Sequence, residues 1–396
     1  MSLQQHHRLA ACFLLFSLIT GAMYSRLPDI QQALGVNEAQ LGLVLIGGAI
    51  GSLISLTLSS PLIEKLGART TGFITVLGSV ACYASIGLIT DARLAFAVLF
   101  VGGLLSGAME INLNVQIGRL EALHKRSLMS QAHGFWSLGF FITSLAAAGI
   151  RQMGVPAGLH LSIAFLIVTV AGIFVLAGLT DAPVAKADED EKPPLLSFPT
   201  LALLPLCLIG CVAFLVEGAG VDWSAIYMRD VFAAEPFVGG LGLTLFTAIM
   251  AAARIFLGPV IDRFSPRLVV TVLLCICVAG LAAVSLAQHP AVAIAGFGLL
   301  GAGTSAIYPL VVSAAAQRTD RSAATNVAAI AQVSFVIFFL APPALGFIAH
   351  AIGIRWSYVV CLPLVVASLL AVRALPSRGR PASPGEVLPE PLTPNG

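Results

Sequence analysis

Ser60-Pro61-Leu62-Ile63-Glu64-Lys65-Leu66-Gly67-Ala68-Arg69 and Gly258-Pro259-Val260-Ile261-Asp262-Arg263-Phe264-Ser265-Pro266-Arg267 are two versions of one charged turn set between apolar runs. In each, a small residue and a proline end an apolar run. An acid follows four positions after the small residue, a base comes next, and a second base closes the string. The second string starts 258 − 60 = 198 residues after the first, half of the 396-residue chain. A charged turn repeated at half the length of an apolar chain reads as two copies of one helical bundle.

Weaker echoes keep the same order. Gly103-Leu104-Leu105 returns as Gly298-Leu299-Leu300, Arg126-Ser127 as Arg321-Ser322, and Leu41-Gly42-Leu43 as Leu241-Gly242-Leu243, at offsets of 195, 195 and 200. The solvent for this chain is lipid. Hydrophobic residues make up 58% and charged residues 10%, where a soluble domain carries about 25% charged residues. The mean hydropathy is +0.96. A net charge of +2 gives no reason to expect a nucleic-acid partner. All seven cysteines fall inside apolar runs and read as small buried hydrophobes. Cys207 and Cys211 could share a helix face, but no His or carboxylate stands beside them at ligand spacing, so no metal site is expected.

A helix needs about 20 apolar residues to cross a hydrocarbon core of about 30 Å. Twelve such runs stand near 9–27, 40–61, 71–89, 94–117, 129–150, 159–180, 200–221, 237–259, 268–286, 291–315, 324–346 and 356–375. The alternation of a membrane β-barrel is absent. The expected fold is therefore an all-α membrane protein of twelve transmembrane helices in two six-helix halves. The first run, behind His6-His7-Arg8, resembles a signal peptide but lacks a clear cleavage site, and reads as a retained span. With the N-terminus inside, fifteen Lys and Arg fall on inner loops and tails and five on outer ones, Arg254 lying within a span. That bias puts both termini in the cytoplasm and the protein in an inner or plasma membrane. Residues 181–199, with the run Lys186-Ala187-Asp188-Glu189-Asp190-Glu191-Lys192-Pro193-Pro194, read as a linker. It divides a bundle over 1–180 from one over 200–375, and the Pro- and Gly-rich tail from 376 to 396 reads as disordered.

These residues resemble the major facilitator superfamily, and the resemblance covers nearly the whole chain. The family's loop between the second and third helices has the form small-x-x-x-acid-base-x-Gly-x-base. It is matched by Ser60, Glu64, Lys65, Gly67 and Arg69, with Ser in place of the usual Gly and Glu in place of the commoner Asp. The second copy supplies Gly258, Asp262, Arg263 and Arg267, with Ser265 where the loop Gly is expected. Gly107-Ala108-Met109-Glu110-Ile111-Asn112-Leu113-Asn114 is similar to the fourth helix of the fucose permease type of proton–sugar symporter, and Asp29 matches that group's acid near the outer end of the first helix. The resemblance implies proton coupling at Glu110 and Asp29, gating by the two loops, a small-molecule substrate, and action as a monomer. It does not carry over fucose.

Several side chains stand out from the apolar background. A charged group at the centre of a span costs about 2.5–3.5 kcal/mol on insertion scales, so Glu110 survives there only if protonated, paired or facing water. Gly103, Gly107, Glu110 and Asn114 share one helix face, which reads as a cavity lining; the plain alternative for Glu110 is a hydrogen bond to a neighbouring helix. Asn112 and Gln116, on another face, suit interhelical hydrogen bonds. Arg26 and Asp29 form either a gate or coupling pair or an interfacial anchor. Glu217 interrupts an apolar run and is a candidate for substrate or proton, whereas Asp222 and Trp223 read as interfacial. His133 and Trp136 open the fifth span and could relay protons, bind solute or simply pack. Tyr308-Pro309 suggests a locally broken helix whose freed carbonyl faces a cavity. Asn326 and Gln332 complete the substrate candidates, and Arg254 is expected to pair with Asp262 in a gate.

No Gly-x-x-x-x-Gly-Lys-Ser/Thr string or catalytic triad is visible, so neither ATP-driven transport nor an enzyme is expected, and no cofactor is called for. The reading is a proton-coupled symporter of a small polar solute such as a sugar, working by alternating access. The rival is proton-coupled efflux of a drug or metabolite. Efflux members of the superfamily carry a Gly-Pro-x-x-Gly-Gly-like string in the fifth helix, and residues 134–149 here contain no Pro.

Overall fold

A computed structural model describes residues 2–124, 128–182 and 197–377. Among the described residues, twelve helices are long and apolar enough to span a membrane: Gln5–Ser25, Glu38–Ser55, Leu62–Leu88, Ala92–Leu120, Ala132–Gln152, Ala157–Ala177, Leu204–Phe232, Pro236–Phe256, Pro266–Leu286, Pro290–Ala316, Thr325–Ile352 and Ile354–Ala374. They are called the first to twelfth spans below. The linker expected over 181–199 and the tail over 376–396 fall mostly outside the described residues.

The halves repeat one pattern of packing. The first span lies against the fifth, the second against the fourth, and the third against the sixth; six spans on, the seventh lies against the eleventh, the eighth against the tenth, and the ninth against the twelfth. Two further pairings join the halves, the fifth span with the eighth and the second with the eleventh. These contacts are close because glycine lies in them. A Cβ on Gly42 would come within 2.6 Å of the Pro343 Cα, and one on Gly240 within 2.5 Å of the Ala148 Cβ. In lipid the hydrophobic effect does not press helices together, so close backbone approach supplies much of the attraction.

Both ends of the bundle carry hydrogen bonds, but of different kinds. At the end away from the two charged strings they cross between halves. Arg229 Nη1 and Nη2 donate to Pro28 O at 3.2 Å and Gln31 Oε1 at 2.7 Å. Gln31 Nε2 donates onward to Glu38 Oε1 at 3.0 Å, and Glu38 Oε2 stands 3.7 Å from His350 Nδ1. The Phe237 N–H donates to Gln152 Oε1 at 2.9 Å. At the end bearing the strings, the bonds that fasten the loops stay within one half. Ala68 N–H donates to Asp181 Oδ1 at 2.7 Å, and Ala182 N–H to Gln116 Oε1 at 2.7 Å. Arg267 holds the carbonyls of Arg373 and Leu375 at 2.7 and 2.8 Å. The far end is sealed by several cross-half bonds, whereas toward the charged-string end the described side-chain bond between halves is that of Arg254 Nη1 to Ser137 Oγ at 3.4 Å.

The two strings turn differently, for a local reason. Gly67 sits at φ +76°, a left-handed conformation that only glycine adopts readily. In the second copy Ser265 is extended at φ −68°, ψ 146°, and caps the ninth span by accepting from Leu268 N–H. That turn needs no glycine, which accounts for the departure from the first copy.

Candidate functional site

The tenth span breaks between two helices, Pro290–Thr304 and Ile307–Ala316. Pro309 has no N–H, so the carbonyl four residues earlier, on Ser305, loses its helical partner. Arg254 Nε donates to that carbonyl at 3.2 Å. The same guanidinium reaches Glu217 Oε1 at 3.5 Å and Ser137 Oγ, in the other half, at 3.4 Å. Among the described residues the guanidinium of Arg254 thus serves a freed carbonyl, an acid and a hydroxyl inside the bundle; its expected partnership with Asp262 falls on a side chain outside the described residues. The side chains of Asp262 and Ser60 lie outside the described residues.

Around Arg254 several of the candidates converge. His133 is close enough for its charge to interact with that of Arg254, and its ring lies 5.0 Å from that of Phe13. Tyr308 is within electrostatic range of Glu110, and its ring lies 4.5 Å from that of Phe214, tilted by 48°. Glu110 is half-buried and makes no hydrogen bond or ion pair with a described residue. It stands eighteen residues from Ala92 along its helix, about 27 Å at the usual rise. Gly103 and Gly107 do not line a cavity with it. A Cβ on Gly107 would meet Ser52 O at 2.7 Å, and Gly103 closes on the Gly48 backbone in the same way. The shared face is a helix contact with the second span. Asn114 Oδ1 is buried without a partner. Asn112 Nδ2 donates to Ala68 O at 3.1 Å and Gln116 accepts from Ala182, so both act between elements.

A cavity of about 200 Å³ lies between the halves. Phe16, Thr20, Met23, Tyr24, Ser52, Tyr83, Ser106, Trp136 and Phe140 line it from one half, and Glu217, Asp222 and Phe338 are among those from the other. Trp136 and Glu217 are thus brought to one wall system. Asp222 is the residue that sequence reasoning missed. The seventh span was expected to end at 221, but it runs to Phe232, so Asp222 and Trp223 lie inside it with 7% and 0% exposure. The signal was the apolar run that resumes at Ala225-Ile226-Tyr227-Met228 after a three-residue polar interruption.

Other candidates lie away from the cavity. Asn326 Nδ2 donates to Asp320 Oδ1 at 3.1 Å at the charged-string end. Arg318 grips the same carboxylate through Nε and Nη2 at 3.0 and 2.9 Å. The hydrogen bonds from Arg318 and then Asn326 hold the Asp320 carboxyl below its usual range, at about 2. Gln332 accepts from Ser197 N–H at 2.9 Å. Both therefore tie loops to the eleventh span. Asp29 lies in the sealed end between Arg26 Nη1 at 2.8 Å and Arg151 Nε at 2.7 Å. Glu64, Lys65, Arg69 and Arg263 are exposed. Arg263 lies 5.8 Å from the Phe264 ring, and Gly258 opens a short helix that ends at Arg263.

Comparison with known proteins agrees with this geometry. Residues 9–232 and 206–394 each match the family model of the Major Facilitator Superfamily. The chain is 28% identical over 369 residues to an uncharacterised transporter of Sinorhizobium fredii, covering 92% of this chain and 96% of that one. It is 26% identical to the membrane protein MosC of Rhizobium meliloti, covering 90% and 86%. Among solved structures, a bacterial homologue of the human lysosomal transporter Spinster, inward-facing and unoccupied, superposes with a TM-score of 0.73 at 14% identity over 94% of this chain and 97% of that one. The fucose:proton symporter FucP of E. coli gives a TM-score of 0.64 at 17% identity over 93% and 97%. At these identities the structural likeness speaks for the fold alone.

Proposed function

The chain belongs to the Major Facilitator Superfamily, and from that premise we propose that this multi-pass membrane transporter couples a small polar solute, such as a sugar, to protons in symport. The halves over 1–180 and 200–375, joined by 181–199, rock about the central cavity. The membrane is the cell's inner or plasma membrane, both termini are cytoplasmic, and the protein works as a monomer. The described state, sealed at the end away from the charged strings, is then inward-facing. Glu64, Lys65, Gly67, Arg69, Asp262, Arg263 and Arg267 gate the cytoplasmic side.

The observation that carries the coupling reading is Glu110. It is an acid well inside the fourth span, half-buried, with no ion-pair partner among the described residues and with Tyr308 of the opposite half in range. Such a carboxylate can take a proton in one access state and release it in the other, because moving the halves changes its contact with water. Asp29, held by two arginines, supports the reading less. The test is proteoliposome transport under an imposed pH gradient. Glu110→Gln is expected to abolish proton-driven accumulation while solute exchange without a gradient persists. Normal proton flux in that variant, at normal expression, removes Glu110 from the mechanism; solute moving out against inward protons replaces symport by antiport.

A further inference from the structure

Asp222 is 93% removed from solvent by its 7% exposure, lines the central cavity, and makes no hydrogen bond or ion pair with a described residue. Such a group is costly in a protein interior, because it has given up water without gaining a partner. Its surroundings are aromatic. Tyr24 lies within electrostatic range of it. The Tyr24 ring is 6.0 Å from Phe140, and Phe140 is 5.3 Å from Trp136. All three rings line the same cavity. Aromatic faces attract cations, most strongly when desolvated.

The charge balance points the same way. The acids reaching the centre of the bundle are Glu110, Glu217 and Asp222, and Arg254 is the cation described beside them. Arg254 is engaged with Glu217. Glu110 and Asp222 are left without a counter-charge. The coupled proton accounts for one of them. The other is left free to meet a positive charge that arrives with the solute.

Resting on the reading of this cavity as the transport site, we propose that the solute is a small organic cation, an amine-bearing polar molecule, whose ammonium group sits against Asp222 among Tyr24, Phe140 and Trp136. Thr20, Ser52, Tyr83 and Ser106 line the rest of the cavity and offer hydroxyls to the solute's polar atoms. The cavity, at about 200 Å³, is small beside the roughly 300–1,000 Å³ of drug-sized sites. It suits a solute of monosaccharide size or less.

Matched probes test the charge. Glucosamine is compared with glucose, galactosamine with galactose, and ethanolamine with ethylene glycol, at equal concentration, by thermal unfolding of the purified protein in detergent. At least one amine is expected to raise the unfolding temperature where its hydroxyl partner does not. In Asp222→Asn, which keeps the side chain's shape, affinity for that amine falls about tenfold or more, the difference between a charge-assisted and a neutral hydrogen bond. Asp222→Glu, which keeps the charge, retains the preference for amines and checks that loss in Asp222→Asn is not misfolding. The proposal is overturned if a hydroxyl partner stabilises as well as its amine, if amine binding survives Asp222→Asn, or if no amine in the three pairs stabilises the wild-type protein. Failure of the transport reading looks different: an amine binds in detergent but does not exchange across proteoliposomes.

Discussion

Arg254 meets Glu217 from the neighbouring span at 3.5 Å, with side chains 29% and 17% exposed. Removing one partner leaves the other charge partly buried, while removing both leaves neither. Breaking a fully buried pair costs about 3–5 kcal/mol and an exposed one about 0–1 kcal/mol. This pair stands between, so Arg254→Gln is expected to destabilise by about 2 kcal/mol, and Glu217→Gln added to it should recover much of that loss. Unfolding in detergent of the single and double variants measures it; a double variant no more stable than Arg254→Gln means that the Ser305 carbonyl, not Glu217, is the partner that matters. At this scale the sequence was legible in part. Glu110 and Glu217 stood out because acids are rare in apolar runs, and Tyr308-Pro309 announced a break because proline cannot complete the helical ladder. Asp222 did not stand out, because a polar trio at the expected end of a span looks like an interface. The described partners of Arg254 were illegible, because the orphaned Ser305 carbonyl exists only once Pro309 has been folded against it.

The pairs formed by the second and eleventh spans, and by the fifth and eighth, hold the sealed end through glycine. Gly42 lies against the Pro342–Pro343 backbone, and the shortest gap left to a Cβ there is 2.6 Å. Backbone cannot swing aside as a side chain can, so Gly42→Leu should pry the sealed end apart. Thr20→Cys, on a background without the seven native cysteines, reports this through an impermeant maleimide applied from the sealed side. Gly42→Leu is expected to speed its labelling several-fold, and an unchanged rate means that the seal rests on the Arg229–Gln31–Glu38–His350 chain instead. Periodicity identified the face carrying Gly103 and Gly107, but not what that face meets. A stripe of small residues reads the same whether it borders water or another helix, and only the backbone of the second span decides between them.

The twelve spans and their two-fold repetition were legible because lipid demands long apolar helices and the charged strings return at half-length. The least legible boundary was the far end of the seventh span, where Asp222 and Trp223 hid nine further helical residues, 224–232. Sidedness can be tested directly. Cysteines replacing Asp91, Asp230 or His289 should label from outside the cell, and those replacing Arg69, Arg263 or Asp320 only after permeabilisation, because basic residues resist translocation. Labelling of position 320 in intact cells inverts the molecule and turns the described state outward-facing. The loop fastenings at the charged-string end also bear on the order of synthesis. Ala68 takes its partner from Asp181, 113 residues later. Arg267 takes its partners from Arg373 and Leu375, 106 and 108 residues later. In each half, the turn between its second and third helices is tied by the end of its sixth helix or the stretch just after it. A ribosome must therefore finish a half before that turn has anything to close upon, and a chain truncated one helix short leaves it open for quality control to find.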